Sequence, residues 1–159
     1  MQSALGQGSV FTLELPLVRA PAAEGAAETV ASTSVIVVVD DEVSAVDATT
    51  AALSPLKCTV TGLRDPRGVI DALRAAQPVL IVLDVMMPWV SGLEVLKLLK
   101  ADPKLSGVPV LVSSAYPENL EAVQALGARF VTKPWRPGEL LRVARELIDQ
   151  AAAGAKPSA

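Results

Sequence analysis

From Val35 onward the chain repeats one texture, short unbroken apolar runs alternating with segments of helical periodicity, and this limits the fold more than any other feature. The runs are VIVVVD, CTVTGL, VLIVLD, PVLVSSA and RFVTKP. Between and after them lie a segment near Val43 to Leu53, then DPRGVIDALRAAQ, GLEVLKLLKAD, PENLEAVQALG and PGELLRVARELIDQAAA. A strand that is apolar at every position must be covered on both faces, so the runs predict a parallel sheet sandwiched by helices. The fold class is therefore α/β, a doubly wound five-stranded parallel sheet. Helix spacing agrees: Val69, Ile70 and Leu73 make one stripe, and Leu140, Ala144, Leu147 and Ile148 another, behind Pro137 in a first-turn position. Leu120, Val123 and Leu126 read as a third stripe, assigned to the core.

In an open α/β sheet, ligands bind beyond the carboxyl ends of the strands. The first run ends in Asp40, Asp41 and Glu42, the third in Asp84, the fourth in Ser113 and Ser114, and the fifth in Lys133. Clustered carboxylates repel unless neutralised, and a hard divalent cation such as Mg²⁺ does this with oxygen ligands and retained waters. With Lys133 across the pocket, Asp84 could act as a nucleophile toward a phosphoryl group and form an acyl phosphate, while Ser114 hydrogen-bonds a phosphoryl oxygen. Any one of these residues has an ordinary explanation as a helix cap or turn signal. Four strand ends supplying complementary groups together carry the functional reading.

Composition narrows the alternatives. The chain has no histidine, which removes Ser-His and Cys-His nucleophile pairs, histidine zinc sites and any phosphohistidine of its own. Its single cysteine, Cys58, excludes an intramolecular disulfide and reads as a packed residue. A net charge of −3 without a basic stripe argues against direct nucleic-acid binding. No apolar run approaches the ~18 residues of a membrane span, and no secretion signal precedes the domain, so a cytoplasmic location is expected.

Through VVVDDE, LIVLDVMMPWVSGLEVL, PVLVSSA and FVTKPW the chain resembles the receiver domains of two-component response regulators, over about 35–152. That resemblance implies a (βα)5 flavodoxin-like fold with strand order 2-1-3-4-5. It makes Asp84 the phosphorylated residue, with Mg²⁺ held by Asp40, Asp41, Asp84 and the backbone carbonyl of Met86. Ser114 becomes the switch hydroxyl and Phe130 the aromatic that moves with it. Lys133 becomes the phosphoryl-binding lysine, with a cis bond expected to Pro134. Met86 and Tyr116, two residues beyond Asp84 and Ser114, stand where the family tunes loss of the phosphoryl group. Because methionine cannot orient a water by hydrogen bonding, slow self-dephosphorylation is expected. The implied partners are a histidine kinase or histidine phosphotransfer protein as donor, and a phosphorylation-dependent dimer through the face of helix 4, strand 5 and helix 5. The chain would be a signalling domain rather than an enzyme. Two positions depart from the usual pattern: Ser91 stands where an acidic or amide residue often precedes Gly92, and Trp89 is large for its loop.

Other functions fit less well. An aspartate-nucleophile phosphatase wants Asp-x-Asp on its first strand, where this chain has Asp40-Asp41-Glu42. A nucleotide or flavin binder needs glycines in the first loop, and DDEVSAVDATT has none. A corrin binder would want a histidine. The serious competitor is a receiver that is never phosphorylated and serves only as a protein-interaction module.

Ahead of the domain, residues 18–34 are rich in Ala, Pro, Ser and Thr and read as a flexible linker, and 153–159 as a disordered tail. GQGSVFTLELPL, within 1–17, resembles the last glycine box and strand of a histidine-kinase ATP-binding domain, as in a hybrid sensor kinase. The remaining nucleotide site of such a kinase is not in this sequence. The competing reading is an N-terminal strand docked on the sheet edge.

Overall fold

The computed structural model describes residues 34–154, apart from 66 and 89. Ten main elements alternate along the chain. They are β1 Val35–Val39, α1 Val43–Leu53, β2 Thr59–Leu63, α2 Val69–Ala76, β3 Leu80–Leu83, α3 Gly92–Ala101, β4 Val110–Ser114, α4 Leu120–Ala125, β5 Arg129–Thr132 and α5 Pro137–Gly154. All strand pairs are parallel and the sheet order is β2-β1-β3-β4-β5, as expected. The chain thus steps one way from β1 to β2 and the other way from β1 to β3. Register at this reversal matters, because Val39 pairs with Leu83. The residues that follow them, Asp40 and Asp84, therefore leave neighbouring strands at the same height, where doubly wound sheets bind ligands.

Period-two alternation divides the strand side chains between two cores. Val37, Val39, Ile81, Leu83, Val110 and Val112 pack with Val69, Leu73, Val95, Leu96, Leu99 and Val123 of α2, α3 and α4. Ile36, Val38, Leu80, Val82, Leu111 and Val131 pack with Ala52, Leu53, Leu140, Val143 and Ala144 of α1 and α5. Each fully buried leucine or isoleucine contributes about 1.5–3 kcal/mol of transfer free energy, so the sheet is held from both faces. The central strands β1, β3 and β4 are almost wholly buried, whereas β2 and β5 are half exposed, because they are the sheet edges.

Three local features refine the sequence reading. Ser91 caps α3, its Oγ accepting from Leu93 N–H at 3.3 Å, which gives a physical role to the residue that departs from the family pattern. α4 begins only after a 3-10 turn at Pro117–Asn119, so its apolar stripe is split: Val123 is buried, Leu126 half-buried and Leu120 exposed. α5 runs on through Gly154, two residues beyond the expected domain end, since Ala151, Ala152 and Ala153 favour helix. Cys58 is half-buried against the α1/α5 core. The readings of 1–17, of 18–33, of Trp89 and of 155–159 lie outside the described residues. Among the described residues, no helix is long and apolar enough to cross a membrane.

Candidate functional site

The carboxyl ends of β1, β3 and β5 meet in a cavity of about 380 Å³ lined by Asp40, Asp41, Glu42, Asp84, Met86, Ala115, Tyr116 and Lys133. Sheet ladders continue into it. Asp84 N–H donates to the Val39 carbonyl at 2.9 Å, Asp40 N–H to the Leu63 carbonyl at 3.2 Å, and Lys133 N–H to the Ser114 carbonyl at 2.9 Å. The backbone of each principal residue is thus fixed by the neighbouring strand.

Lys133 Nζ donates to Asp40 Oδ2 at 2.7 Å and to Asp84 Oδ1 at 3.1 Å, so one ammonium bridges two carboxylates whose side chains are only 7% and 8% exposed. Each carboxylate spends its other oxygen locally: Asp40 Oδ1 accepts from Glu42 N–H at 3.0 Å and Asp84 Oδ2 from Met86 N–H at 2.8 Å. Burial raises the Asp84 carboxyl above its ordinary value; the charge and hydrogen bond of Lys133 oppose this, and the charge of Asp40 adds to it. Burial alone would lower the Lys133 ammonium, but the Asp40 hydrogen bond and the charges of Asp84 and Asp40 outweigh it and hold it raised. Burial outweighs the lysine, which is why Asp84 stays raised beside it.

The donor set suits a hard cation. Asp40, Asp41, Glu42 and Asp84 bring four carboxylates to a cavity with one ammonium, so positive charge is deficient there. No three acidic side chains among the described residues already converge as ligands. Mg²⁺ does not require that, because it takes one or two carboxylates and keeps several waters.

Gly92 seats this strand end on α3. A Cβ there would overlap the Asp84 carbonyl oxygen and crowd the Val85 Cα, while Gly92 N–H donates to the Val85 carbonyl at 2.9 Å. The helix N-terminus therefore packs directly on the backbone that presents Asp84.

Not all the residues singled out in the sequence share the cavity. Ser114 is wholly buried on the α3/α4 side, the side of Val110 and Val112, and its Oγ accepts from Tyr116 N–H at 3.2 Å. Phe130 lies half-buried on that same side, with its backbone paired to Val112. Asp41 is exposed at the rim, as are Met86 and Tyr116, and the Lys133–Pro134 bond is cis. Sequence reasoning missed the roles of Gly92 and of a hydrogen bond from Trp135 Nε1 to Ser113 Oγ at 2.9 Å. The tandem serines and the indole in FVTKPW were the available signals.

A doubly wound sheet whose switch point carries buried carboxylates bridged by a lysine defines the class: a flavodoxin-like domain with an acidic, cation-seeking pocket. Within that class, the chain belongs to the response regulator receiver domain family, whose model matches residues 36–145. It is a signalling domain of two-component systems rather than a classical enzyme, and receiver domains of this family bind Mg²⁺ at the phosphorylation site.

The DNA-binding response regulator MtrA of Mycobacterium tuberculosis is 33% identical over 109 residues, covering 67% of this chain and 46% of that protein. The probable transcriptional regulatory protein TcrX of the same organism is 34% identical over 116 residues, 71% of this chain and 49% of that one. The chain thus spans about half the length of these curated relatives. A CheY-like response regulator receiver domain protein of Methanospirillum hungatei shares the fold, with a TM-score of 0.69 at 24% identity over 78% of this chain and 100% of that one.

Proposed function

We propose that the chain is a phosphoacceptor in a two-component phosphorelay, taking a phosphoryl group onto Asp84 from a phosphohistidine of a histidine kinase or histidine phosphotransfer protein. An Asp84 carboxylate oxygen forms a bond to phosphorus as the donor's phosphorus–nitrogen bond breaks, and that electron pair leaves with the imidazole nitrogen. The observation that carries this reading is the Lys133 bridge to both buried carboxylates, which stations a cation beside the nucleophile before any phosphoryl group arrives. Asp40, Asp41, Asp84 and the Met86 carbonyl would hold Mg²⁺, which supplies neutralisation of the phosphoryl oxygens. Lys133 orients Asp84 and then pairs with a phosphoryl oxygen.

Ser114 is the switch hydroxyl on this reading. Its oxygen accepts from Tyr116 N–H, and among the described residues its own proton is given to no partner, so it is available to the phosphoryl group. Phe130 shares its side of the sheet and follows it, which remodels the face of α4 and β5. That face with α5 is the proposed surface of a phosphorylation-dependent dimer. Met86 and Tyr116, exposed on the cavity wall, would control access of water to the acyl phosphate. The likeness of GQGSVFTLELPL to a kinase glycine box supports a hybrid-kinase setting, and the domain is placed in the cytoplasm, where such donors act.

The test is incubation with Mg²⁺ and acetyl phosphate, followed by intact mass. One added phosphoryl group is expected, absent in Asp84→Asn. No addition to the wild-type protein would leave the receiver as an interaction module only, and labelling that survives in Asp84→Asn would move the site.

A further inference from the structure

Between the end of β5 at Thr132 and the first turn of α5, the chain has few anchors. Among the described residues, Lys133 N–H is the last backbone donor to another backbone group before Glu139 N–H, which bonds the Arg136 carbonyl at 2.9 Å. Pro134 has no N–H to give. What holds the intervening segment is a side chain: Trp135 Nε1 donates to Ser113 Oγ at 2.9 Å. Ser113 is 2% exposed and sits in β4, whose backbone is fixed by β3 on one side and β5 on the other. The indole packs against the α1/α5 core and walls a cavity of about 410 Å³ with Glu42, Ala45, Ala48, Lys133 and Pro134.

The segment that presents Lys133 thus has two anchors, and both lie on consecutive residues of one strand. Ser114 takes the Lys133 N–H through its carbonyl, and Ser113 takes the indole through its hydroxyl. We propose that Trp135, through Ser113, is a positioning residue that aims the Lys133 ammonium at Asp40 and Asp84, which deepens the phosphoacceptor reading and rests on it for its effect on transfer. The tandem serines then divide the work across the sheet: Ser114 faces the α3/α4 side, and Ser113 holds the lysine loop from the α1/α5 side. A neutral hydrogen bond of this kind carries about 1 kcal/mol, so losing it should weaken the equilibrium that holds Lys133 in the bridge about fivefold.

The experiment uses Trp135→Phe, which keeps an aromatic ring and removes the donor, Ser113→Ala, which removes the acceptor, and Ser113→Thr, which retains the hydroxyl. Three quantities are read on the full chain. They are the rate at which an N-hydroxysuccinimide ester labels Lys133 without Mg²⁺, the urea midpoint, and the rate of phosphoryl gain from acetyl phosphate with Mg²⁺. Lys57 and Lys104 serve as internal labelling controls. Expected are faster labelling of Lys133 and slower phosphoryl gain in both Trp135→Phe and Ser113→Ala, the two factors multiplying to about fivefold. The control lysines should be unchanged, the double variant should be no worse than either single one, and Ser113→Thr should behave as wild type. Unchanged Lys133 labelling overturns the proposal whatever happens to the phosphoryl rate. So does faster labelling of every lysine with a lowered midpoint, which marks a merely structural role. If the wild-type protein gains no phosphoryl group while Lys133 labelling still responds, the phosphoacceptor reading fails and the positioning role stands.

Discussion

Replacing Gly92 with alanine should cost about 3 kcal/mol and slow phosphoryl acceptance, although the change adds one methyl group on a helix that alanine ordinarily favours. The added Cβ would meet backbone, the Asp84 carbonyl oxygen and the Val85 Cα, rather than the end of a flexible side chain. Val85 is 4% exposed and the strand before it is wholly buried, so the obstructing atoms cannot move outward. Overpacking of this kind costs typically about 1–3 kcal/mol, and backbone obstruction belongs at the upper end. For a domain of this size that corresponds to a fall in Tm of about 10 °C. Either α3 withdraws or Asp84 shifts, and a displacement of ~1 Å at a reacting group can cost about a hundredfold in rate. Gly138, in the first turn of α5, has open space where its Cβ would be. Gly138→Ala should therefore stabilise by about 0.5 kcal/mol. Urea unfolding followed by circular dichroism measures both. A Gly92→Ala protein within about 0.5 kcal/mol of wild type would refute the claim that close backbone approach selects glycine there.

Two further outcomes follow from other parts of the chain. Met86→Asn, which puts a hydrogen-bonding amide on the exposed cavity wall, should shorten the lifetime of the phosphorylated protein several-fold, as read by decay of the added mass; an unchanged lifetime means Met86 has no part in it. Asp102 governs an acid-side effect: Arg74 from α2 bonds its Oδ2, burial opposes, and Lys104 and Leu105 N–H bond its Oδ1, so its carboxyl is held below the ordinary 3.8. A depressed folded value means its stabilisation is complete above about 3.8 and lost as pH falls through the lower value. Asp102→Asn should thus be less stable than wild type at neutral pH, with the gap closing below about pH 4, and a gap that stays constant into acid would contradict the pairing.

What the sequence disclosed followed from position in the sheet. VIVVV, LIVL and VLVSS became β1, β3 and β4, central strands buried on both faces, so unbroken apolar character identified them directly. TVTGL and RFVT became the edges, where exposure admits threonine and arginine and weakens the signal. Asp40, Asp84 and Lys133 were legible because strand ends in a parallel sheet must converge. Which of two adjacent serines faces which helix layer was not, because that depends on strand parity, and a one-residue change would exchange them. Leu120 misled for a related reason: its spacing from Val123 is helical, but α4 starts at Leu120 itself, and a first-turn residue can escape the core.

The geometry of Lys133 explains why small residues end β4. β4 lies between β5 and β3, so at the ~4.8 Å spacing of strands Lys133 must reach over a whole intervening strand end to bridge Asp84 and Asp40. A bulky side chain at that end would stand in the path of the ammonium. The residues there are Ser113, Ser114 and Ala115, of which the serines are buried and turned to opposite layers and the alanine lines the cavity. One strand end therefore leaves the lysine its route, anchors its loop through Ser113 and the Ser114 carbonyl, and holds the Ser114 hydroxyl beside the site. Lys133 and Ser114 are thus tied through the strand end they share, by the Ser114 carbonyl that takes the Lys133 N–H, while the Ser113 hydroxyl acts on the lysine loop alone.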